Sequence, residues 1–213
     1  MRLASSVGLL LGFAFVVLVG AAPQNASNRY EAASKNDAAL KLRQDMRKLW
    51  SDHVIWTRGY VVAVAADAPD RQPASERLLK NQEDIGRAME AYYGHDAGDA
   101  LTALLKEHIT IAVELGDAAK AGDKPQVKEI DARWQRNAEE MASFLAAANP
   151  NWSQSALSSM MHEHLKTTTD EVTARLEGKW EKDIKAFDAV YNHILEMADT
   201  LSDGIIHQFP DRF

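Results

Sequence analysis

Apolar residues recur with the period of an α-helix along almost the whole chain, and this pattern limits the fold more than any other feature. Six segments place apolar residues at the spacings that align them on one helical stripe. Breakers separate the segments at 68–70, at Gly94, at 121–125, at 149–151 and near Gly178. No alternating pattern of a half-buried strand competes with them. With only 11 Gly and 6 Pro in 213 residues, the composition also favours long regular elements. The sequence therefore predicts an all-α protein.

The predicted helices are similar in length and are joined by short breakers. Their ranges are 37–66, 73–93, 98–119, 125–147, 153–178 and 179–207. Helices of this length with short connections favour an up-and-down antiparallel bundle built from repeated helical hairpins. Because 46% of the residues are hydrophobic, one core is sufficient. We therefore expect a single helical-bundle domain over residues 37–213.

The N-terminal segment 1–22 has the pattern of a signal peptide. Arg2 supplies a positive charge, an uninterrupted apolar run follows at 8–19, and small residues occupy 20–22. The run is short for a transmembrane helix, so we predict export to the periplasm or the medium, without stable membrane insertion. Residues 23–36 are polar and contain few bulky apolar side chains, which predicts a flexible lead-in. The absence of cysteine fits an oxidising compartment.

Four of the seven histidines share one local sequence frame. Each follows two apolar residues, a variable residue and an acid or amide, and each precedes an aliphatic residue; they are His53, His108, His164 and His193. The first two intervals between them are nearly equal and the third is about half as long, as a duplicated helical hairpin would place them. Each lies near the middle of its helix on the apolar stripe. Antiparallel packing should therefore bring the four imidazoles to one level of the core.

Imidazoles that converge from different helices suit a divalent transition metal. Carboxylates at the same level would add ligands or orient the rings. The predicted metal-binding set is His53, His108, His164, His193, Glu107, Glu163, Glu83 and Asp84. Zinc, copper, iron and manganese all accept nitrogen and oxygen ligands, so the spacing does not choose among them.

Two other interpretations of this polar layer stay open. One is a hydrogen-bonded His/Asn/Glu network without metal, in a periplasmic interaction module or stress chaperone. The other is a pocket for a small ligand. Asn81 and Asn137 lie at a comparable height on the second and fourth helices. Each unpaired buried polar group costs ~1–3 kcal/mol, so every interpretation requires partners for these side chains.

The remaining aromatic and histidine residues receive structural interpretations. Trp50, Trp56 and Trp134 should pack around the polar layer. His162 should lie on the surface because it points about 200° away from His164 around the helix, and His95, in a turn, and His207, near the C-terminus, should be exposed as well. No long loop is present to act as a lid. We therefore expect a site closed to large substrates, which favours metal storage, sensing or small-molecule redox chemistry over hydrolysis of polymers.

Several established types of site lack their sequence signatures. Without cysteine there is no disulfide, no thiolate metal centre and no covalently attached haem. The chain has no Glu-x-x-His pair of a di-iron bundle, no His-Glu-x-x-His motif and no glycine-rich phosphate loop. A net charge of −7, from 31 acidic and 24 basic residues, offers no electrostatic reason to expect a nucleic-acid partner. Whether the site is catalytic stays open.

Six short motifs are spread over nearly the whole chain after residue 22. They are Leu49-Trp50 with Asp52-His53, Asn81-Gln82 with Asp84-Ile85-Gly86, Trp134 with Asn137-Ala138, Asn149-Pro150-Asn151-Trp152, Glu163-His164-Leu165, and Gln208-Phe209-Pro210. This combination resembles a family of exported bacterial all-helical proteins of unassigned function. The resemblance implies a helical bundle and export, and it carries no catalytic assignment.

Overall fold

A computed structural model describes residues 22–213 as six helices. They are α1 Ala22–Ala66, α2 Arg71–Tyr93, α3 His95–Ala121, α4 Lys124–Ala148, α5 Gln154–Leu176 and α6 Trp180–Gln208. The described residues contain no strand, so the predicted all-α bundle of six helices is confirmed. The predicted signal peptide lies outside the described residues except for Ala22. No helix among residues 22–213 combines the length and apolar character needed to cross a membrane.

The helices form a closed ring of three hairpins, α1–α2, α3–α4 and α5–α6. Each helix packs against the next in the chain, and α6 packs against α1. The connections are one to five residues long, which makes consecutive helices antiparallel. The odd-numbered helices α1, α3 and α5 also contact one another. Side chains on their inward stripes therefore meet near the centre of the ring.

Local chemistry sets several of the helix ends close to their predicted positions. Asp123 caps α4 by accepting a hydrogen bond from the Gln126 backbone N–H at 3.1 Å. Ser153 caps α5 in the same way, with the Ala156 N–H at 3.5 Å. At the end of α3, Gly122 adopts a φ of 71°, a left-handed conformation that glycine accepts without steric cost. These signals are local, which explains why the sequence predicts them.

The first helix is longer than expected, because residues 23–36 are helical where we predicted a flexible lead-in. The side chains of residues 31–34 are exposed, so packing does not explain their conformation. The segment is rich in alanine, the best helix former, and Glu31 lies 3.8 Å from Lys35 one turn later. A low content of apolar residues predicts that a segment does not pack against the core, but it gives no information about whether the segment forms a helix.

The hydrophobic core fills the interior of the ring and draws on all six helices. The most deeply buried apolar side chains include Met46, Val54, Leu78, Ile85, Ala142, Leu165, Ile194, Leu201 and Ile205. A smaller apolar cluster of Tyr60, Val64 and Ala74 lies between the C-terminal end of α1 and the start of α2. The core thus surrounds the level at which the predicted histidines lie.

Two glycines in helix interiors give a matched prediction about packing. A Cβ on Gly204 would lie 1.8 Å from Nε1 of the buried Trp152. We expect Gly204→Ala to lower the free energy of unfolding by ~1–3 kcal/mol through overpacking, although alanine favours the helix. A Cβ on Gly59 would meet only Trp56, at an ordinary 3.9 Å. Gly59→Ala should therefore stabilise the protein by up to ~1 kcal/mol. Urea unfolding measures both, and stabilisation by both variants would contradict the packing at Gly204.

Candidate functional site

Three buried histidines meet at the centre of the ring, one from each inner helix. His53 on α1, His108 on α3 and His164 on α5 are each 2–3% exposed. The His164 ring lies in the middle, with its centroid 5.6 Å from that of His53 and 6.0 Å from that of His108. We call these three residues the histidine cluster. The predicted meeting of these side chains at one level is therefore seen in the structure.

His193 on α6 lies at the edge of this cluster. Its side chain is half-buried, and its ring centroid is 6.4 Å from that of His164. Its Nε2 is 2.8 Å from the carbonyl oxygen of Met160, and the carbonyl can only accept. Nε2 of His193 therefore carries the proton and donates this bond, which leaves only Nδ1 for any other ligand.

The same hydrogen bond repeats in all three hairpins. A side-chain nitrogen on the even helix donates to the carbonyl oxygen four residues before the cluster histidine on the odd helix. The three bonds are Asn81 Nδ2 to Leu49 O at 3.0 Å, Asn137 Nδ2 to Leu104 O at 3.1 Å and His193 Nε2 to Met160 O at 2.8 Å. His193 is thus the counterpart of Asn81 and Asn137. The equal spacing of Asn81, Asn137 and His193 along the chain was the sequence signal for this equivalence. It was overlooked because the residues around His193 resemble those around the three cluster histidines.

Burial keeps the imidazoles of the cluster uncharged near neutral pH. It lowers the pKa of His53 to about 4 and, together with the nearby His53, that of His108 to about 3. The pKa of His164 is also well below its usual value, first through burial and then through the three neighbouring imidazoles. A neutral imidazole has one nitrogen lone pair, which can bind a metal or accept a hydrogen bond.

Only part of the polar layer has hydrogen-bonding partners. His108 Nδ1 is 2.9 Å from Oδ1 of Asn137, an acceptor, so Nδ1 donates and Nε2 carries the lone pair. Among the described residues, Nδ1 of His164 has no partner, and Nδ1 of His53 has none with good hydrogen-bond geometry, although the His53 side chain lies beside Gln82, whose Oε1 is also unpaired. Oγ1 of Thr168, a buried residue one turn after His164 on α5, also has no partner among them. Such atoms are costly to leave unpaired, so they mark a place where a ligand would be stabilised.

The four predicted carboxylates are outside the cluster. Glu107 and Glu163 are exposed, since the residue next to an inward histidine points about 100° away around the helix. Glu83 accepts hydrogen bonds from Lys80 and Lys106, at 2.6 and 2.7 Å, and Asp84 pairs with Arg87. The expectation that carboxylates share the site is thus corrected to a site of nitrogen donors. In the described part of the chain, no three His, Asp or Glu side chains already have the geometry of a metal site.

The tryptophans and surface histidines lie largely as expected. Trp50 packs edge-on to His53, with ring centroids 5.8 Å apart, and Trp134 lies 5.1 Å from His108. Trp56 is different, because it is half-buried and its ring faces the Arg77 guanidinium at 5.3 Å. It therefore does not belong to the shell around the cluster. The three remaining histidines are all exposed, as predicted: His95, His162 and His207.

A cavity of about 360 Å³ opens on one side of the histidine cluster. All three cluster histidines and Thr168 line it, and most of the rest of its wall is aliphatic. On α3, the small residues Ala112, Gly116 and Ala119 line it, which leaves room that larger side chains would fill. The volume lies in the range of small-molecule sites. A small-ligand pocket was one of the interpretations left open by the sequence, but the position and shape of the cavity could not be predicted, because they depend on how five helices are spaced.

A buried ionic cluster joins α1, α5 and α6 at the end of the bundle that contains the cavity. The Arg58 guanidinium donates to Glu171 at 2.8 Å and to Asp183 at 2.7 Å, and Arg175 also donates to Asp183, at 3.2 Å. Both carboxylates are 1% exposed. Burial raises the pKa of Glu171, whereas the hydrogen bond from Arg58 lowers that of Asp183. Sequence reasoning missed these residues because Arg58 is 113 and 125 positions from its partners.

Comparisons of the chain with protein families, curated proteins and solved structures find no match. The histidine cluster and the cavity beside it are therefore the features of the molecule that point to a function.

Proposed function

We propose that this is an exported helical-bundle protein that binds one divalent transition metal through His53, His108 and His164. The observation that carries the proposal is the meeting of three buried, neutral imidazoles around His164, two of them with an unpartnered Nδ1. Metal storage, sensing or small-molecule redox chemistry would suit such a site. Export follows from the signal-peptide pattern of segment 1–22.

The spacing of the rings is close to that of a metal-bound pair. Two imidazoles on one tetrahedral zinc, with Zn–N bonds of 2.0–2.1 Å, have ring centroids about 5 Å apart. The centroids of His53 and His108 lie 5.6 and 6.0 Å from that of His164. One ion bound by all three imidazoles would require the two outer rings to close up around the ring of His164. His108 would use Nε2, because its Nδ1 donates to Asn137.

The donor set narrows the choice of metal. Imidazole nitrogen suits zinc, copper and iron, whereas manganese prefers sites richer in oxygen. Because the four predicted carboxylates lie outside the cluster, we expect zinc, copper or iron rather than manganese. Three protein ligands also leave one tetrahedral position open, as in catalytic and exchange sites. The cavity adjoins the histidine cluster and would give a small molecule access to it.

Metal binding should raise the melting temperature of the protein. A metal that binds only the folded state at 100 times its Kd stabilises that state by about 2.7 kcal/mol. We expect untagged, chelator-stripped protein to show this shift with zinc or copper. His164→Gln should lose most of the shift, because it removes the central ligand while keeping a polar side chain. The exposed His95→Gln should keep it. Differential scanning calorimetry and elemental analysis provide the measurements.

The competing function is a metal-free interaction module with a hydrogen-bonded core layer. The bond between His108 and Asn137 favours it, since it satisfies one cluster histidine without metal. Equal thermal shifts in the His164 and His95 variants, or protein that takes up no metal after supplementation, would reject the metal site and support this alternative.

A further inference from the structure

The cavity beside the histidine cluster is a long slot that follows the helix axes. Its lining runs from His53 to Val64 on α1 and from His164 to Leu176 on α5. At 1.5 Å per residue, these stretches are about 16–18 Å long. Because a volume of about 360 Å³ is spread over that length, the slot is much narrower than it is long. The shape fits one slender molecule that lies parallel to the helices.

The walls of the slot are apolar over most of this length. Aliphatic side chains line it from α1, α3 and α5, among them Val61, Val64, Ile109, Val172 and Leu176. Binding of an apolar body against these walls gains about 25 cal/mol per Å² of apolar surface removed from water. The occupant should therefore be mainly hydrocarbon.

The closed end of the slot is polar, and its polar atoms lack partners. His53, His164 and Thr168 line this end, and each has a buried polar atom, Nδ1, Nδ1 and Oγ1 respectively, without a hydrogen bond to any described residue. These atoms have almost no exposed surface, so a ligand hydroxyl would reach them after rotation of the side chains. The threonine hydroxyl both donates and accepts, and a neutral imidazole nitrogen does one or the other. A ligand hydroxyl matches this set because it donates one hydrogen bond and accepts others. An alkane would leave all three atoms unpaired.

Charge at the two ends of the slot argues against an anionic head at the closed end. A buried carboxylate requires a cation or several donors, and the cluster imidazoles are neutral. The two lysines that line the slot, Lys124 and Lys128, are exposed on α4 at its other end, and Asp131 follows them on the same helix. An anion bound to these lysines would leave the polar atoms of the closed end unpaired.

We propose that this slot binds a neutral amphiphile, a slender hydrocarbon that ends in one hydroxyl group, with the hydroxyl beside Thr168 and the cluster histidines. This goes beyond the proposed metal site and does not depend on it. The slot, its walls and Thr168 belong to the metal-free protein. The two proposals can therefore fail separately.

The test uses full-length, chelator-treated protein and two probes of equal chain length, octanol and octanoate. Isothermal titration calorimetry should show saturable binding of octanol at one site per chain, with octanoate binding at least about tenfold more weakly because its charge is desolvated without a partner. Tighter binding of octanoate than octanol would overturn the proposal and point to recognition of an anion by the lysines.

Two substitutions locate the binding site, each with a matched control. Thr168→Val removes the hydroxyl at nearly constant shape and should weaken octanol binding by about three- to tenfold. Thr110→Val, at an exposed threonine on α3, should leave it unchanged. Ala112→Phe places a ring in the slot and should abolish binding, whereas Ala132→Phe on the exposed side of α4 should not.

The folding of each variant is checked by circular dichroism, and a second filling variant, Gly116→Leu, covers the case in which Ala112→Phe does not fold. Gly116 also lines the slot. Octanol binding that survives a folded filling variant would overturn the proposal, because the ligand would then be bound elsewhere. Equal affinities of Thr168→Val and the parent protein would overturn the assignment of the hydroxyl to the closed end.

Discussion

Arg58→Met should lower the free energy of unfolding by about 3–5 kcal/mol, the usual cost of removing one partner from a buried ionic cluster. Without this guanidinium, Glu171 loses its hydrogen bond and Asp183 keeps only Arg175. Both carboxylates are 1% exposed, while Arg58 is 20% exposed, so water entering beside the methionine replaces only part of the lost hydrogen bonding. Methionine keeps most of the apolar contact of the arginine stem, and the loss therefore measures the charge rather than the packing. Urea unfolding at neutral pH gives the value.

Arg47→Met is the matched control, because Arg47 pairs with Asp199 on the surface of the same helix pair. The two side chains are 49% and 36% exposed, and exposed pairs contribute about 0–1 kcal/mol. Adding Glu171→Gln and Asp183→Asn to Arg58→Met should recover part of the lost stability, since the uncompensated charges are removed. A loss in Arg58→Met no larger than that in Arg47→Met would show that the buried cluster does not carry the expected energy.

Metal-free protein should lose several kcal/mol of stability between pH 7.5 and pH 5, at about 2 kcal/mol for each cluster histidine. In the unfolded chain a histidine takes up its proton near pH 6.5. Burial holds the folded-state pKa of His53 at about 4 and that of His108 at about 3. As the pH falls below 6.5, the unfolded chain binds protons that the folded protein does not. Stability is therefore present above that pH and is lost as the pH falls towards the folded-state values.

The histidine contribution can be separated from that of the carboxylates. Hydrogen bonds to Arg58 and Arg47 lower the pKa values of Asp183 and Asp199 from 3.8, so stability from these two groups is lost only at more acidic pH. Burial raises the pKa of Glu171, so its contribution has the opposite sign, and it is the same in the parent protein and in a histidine variant. His53→Gln, which does not titrate, should reduce the pH dependence of the unfolding free energy by about 2 kcal/mol over this interval. The exposed His95→Gln should not. Identical pH profiles for the parent protein and His53→Gln would contradict a neutral, buried His53.

Much of the fold was predictable because helical periodicity and helix ends are local properties. The apolar stripes show six helices, and the signals at Asp123, Gly122 and Ser153 mark ends where the structure has them. The approach of His53, His108 and His164 was also predictable, since each lies at mid-helix on a stripe that must face inward. The longer α1 was missed because an exposed helix has no stripe.

Other features depend on how distant helices are rotated and spaced, so they become visible only in the tertiary structure. Glu107 and Glu163 each directly precede a cluster histidine in the sequence. The rotation of the helix that buries the histidine turns the neighbouring carboxylate towards water.

The ionic cluster of Arg58 with Glu171 and Asp183 joins residues more than 100 positions apart, and no local pattern reports such a pairing. The slot depends on the spacing of five helices around the small residues Ala112 and Gly116, which no local sequence pattern reports. The sequence was enough to predict that the three cluster histidines face the centre of this bundle. The tertiary packing decided which of them find partners there and which are left, unpaired, beside a space that a ligand can fill.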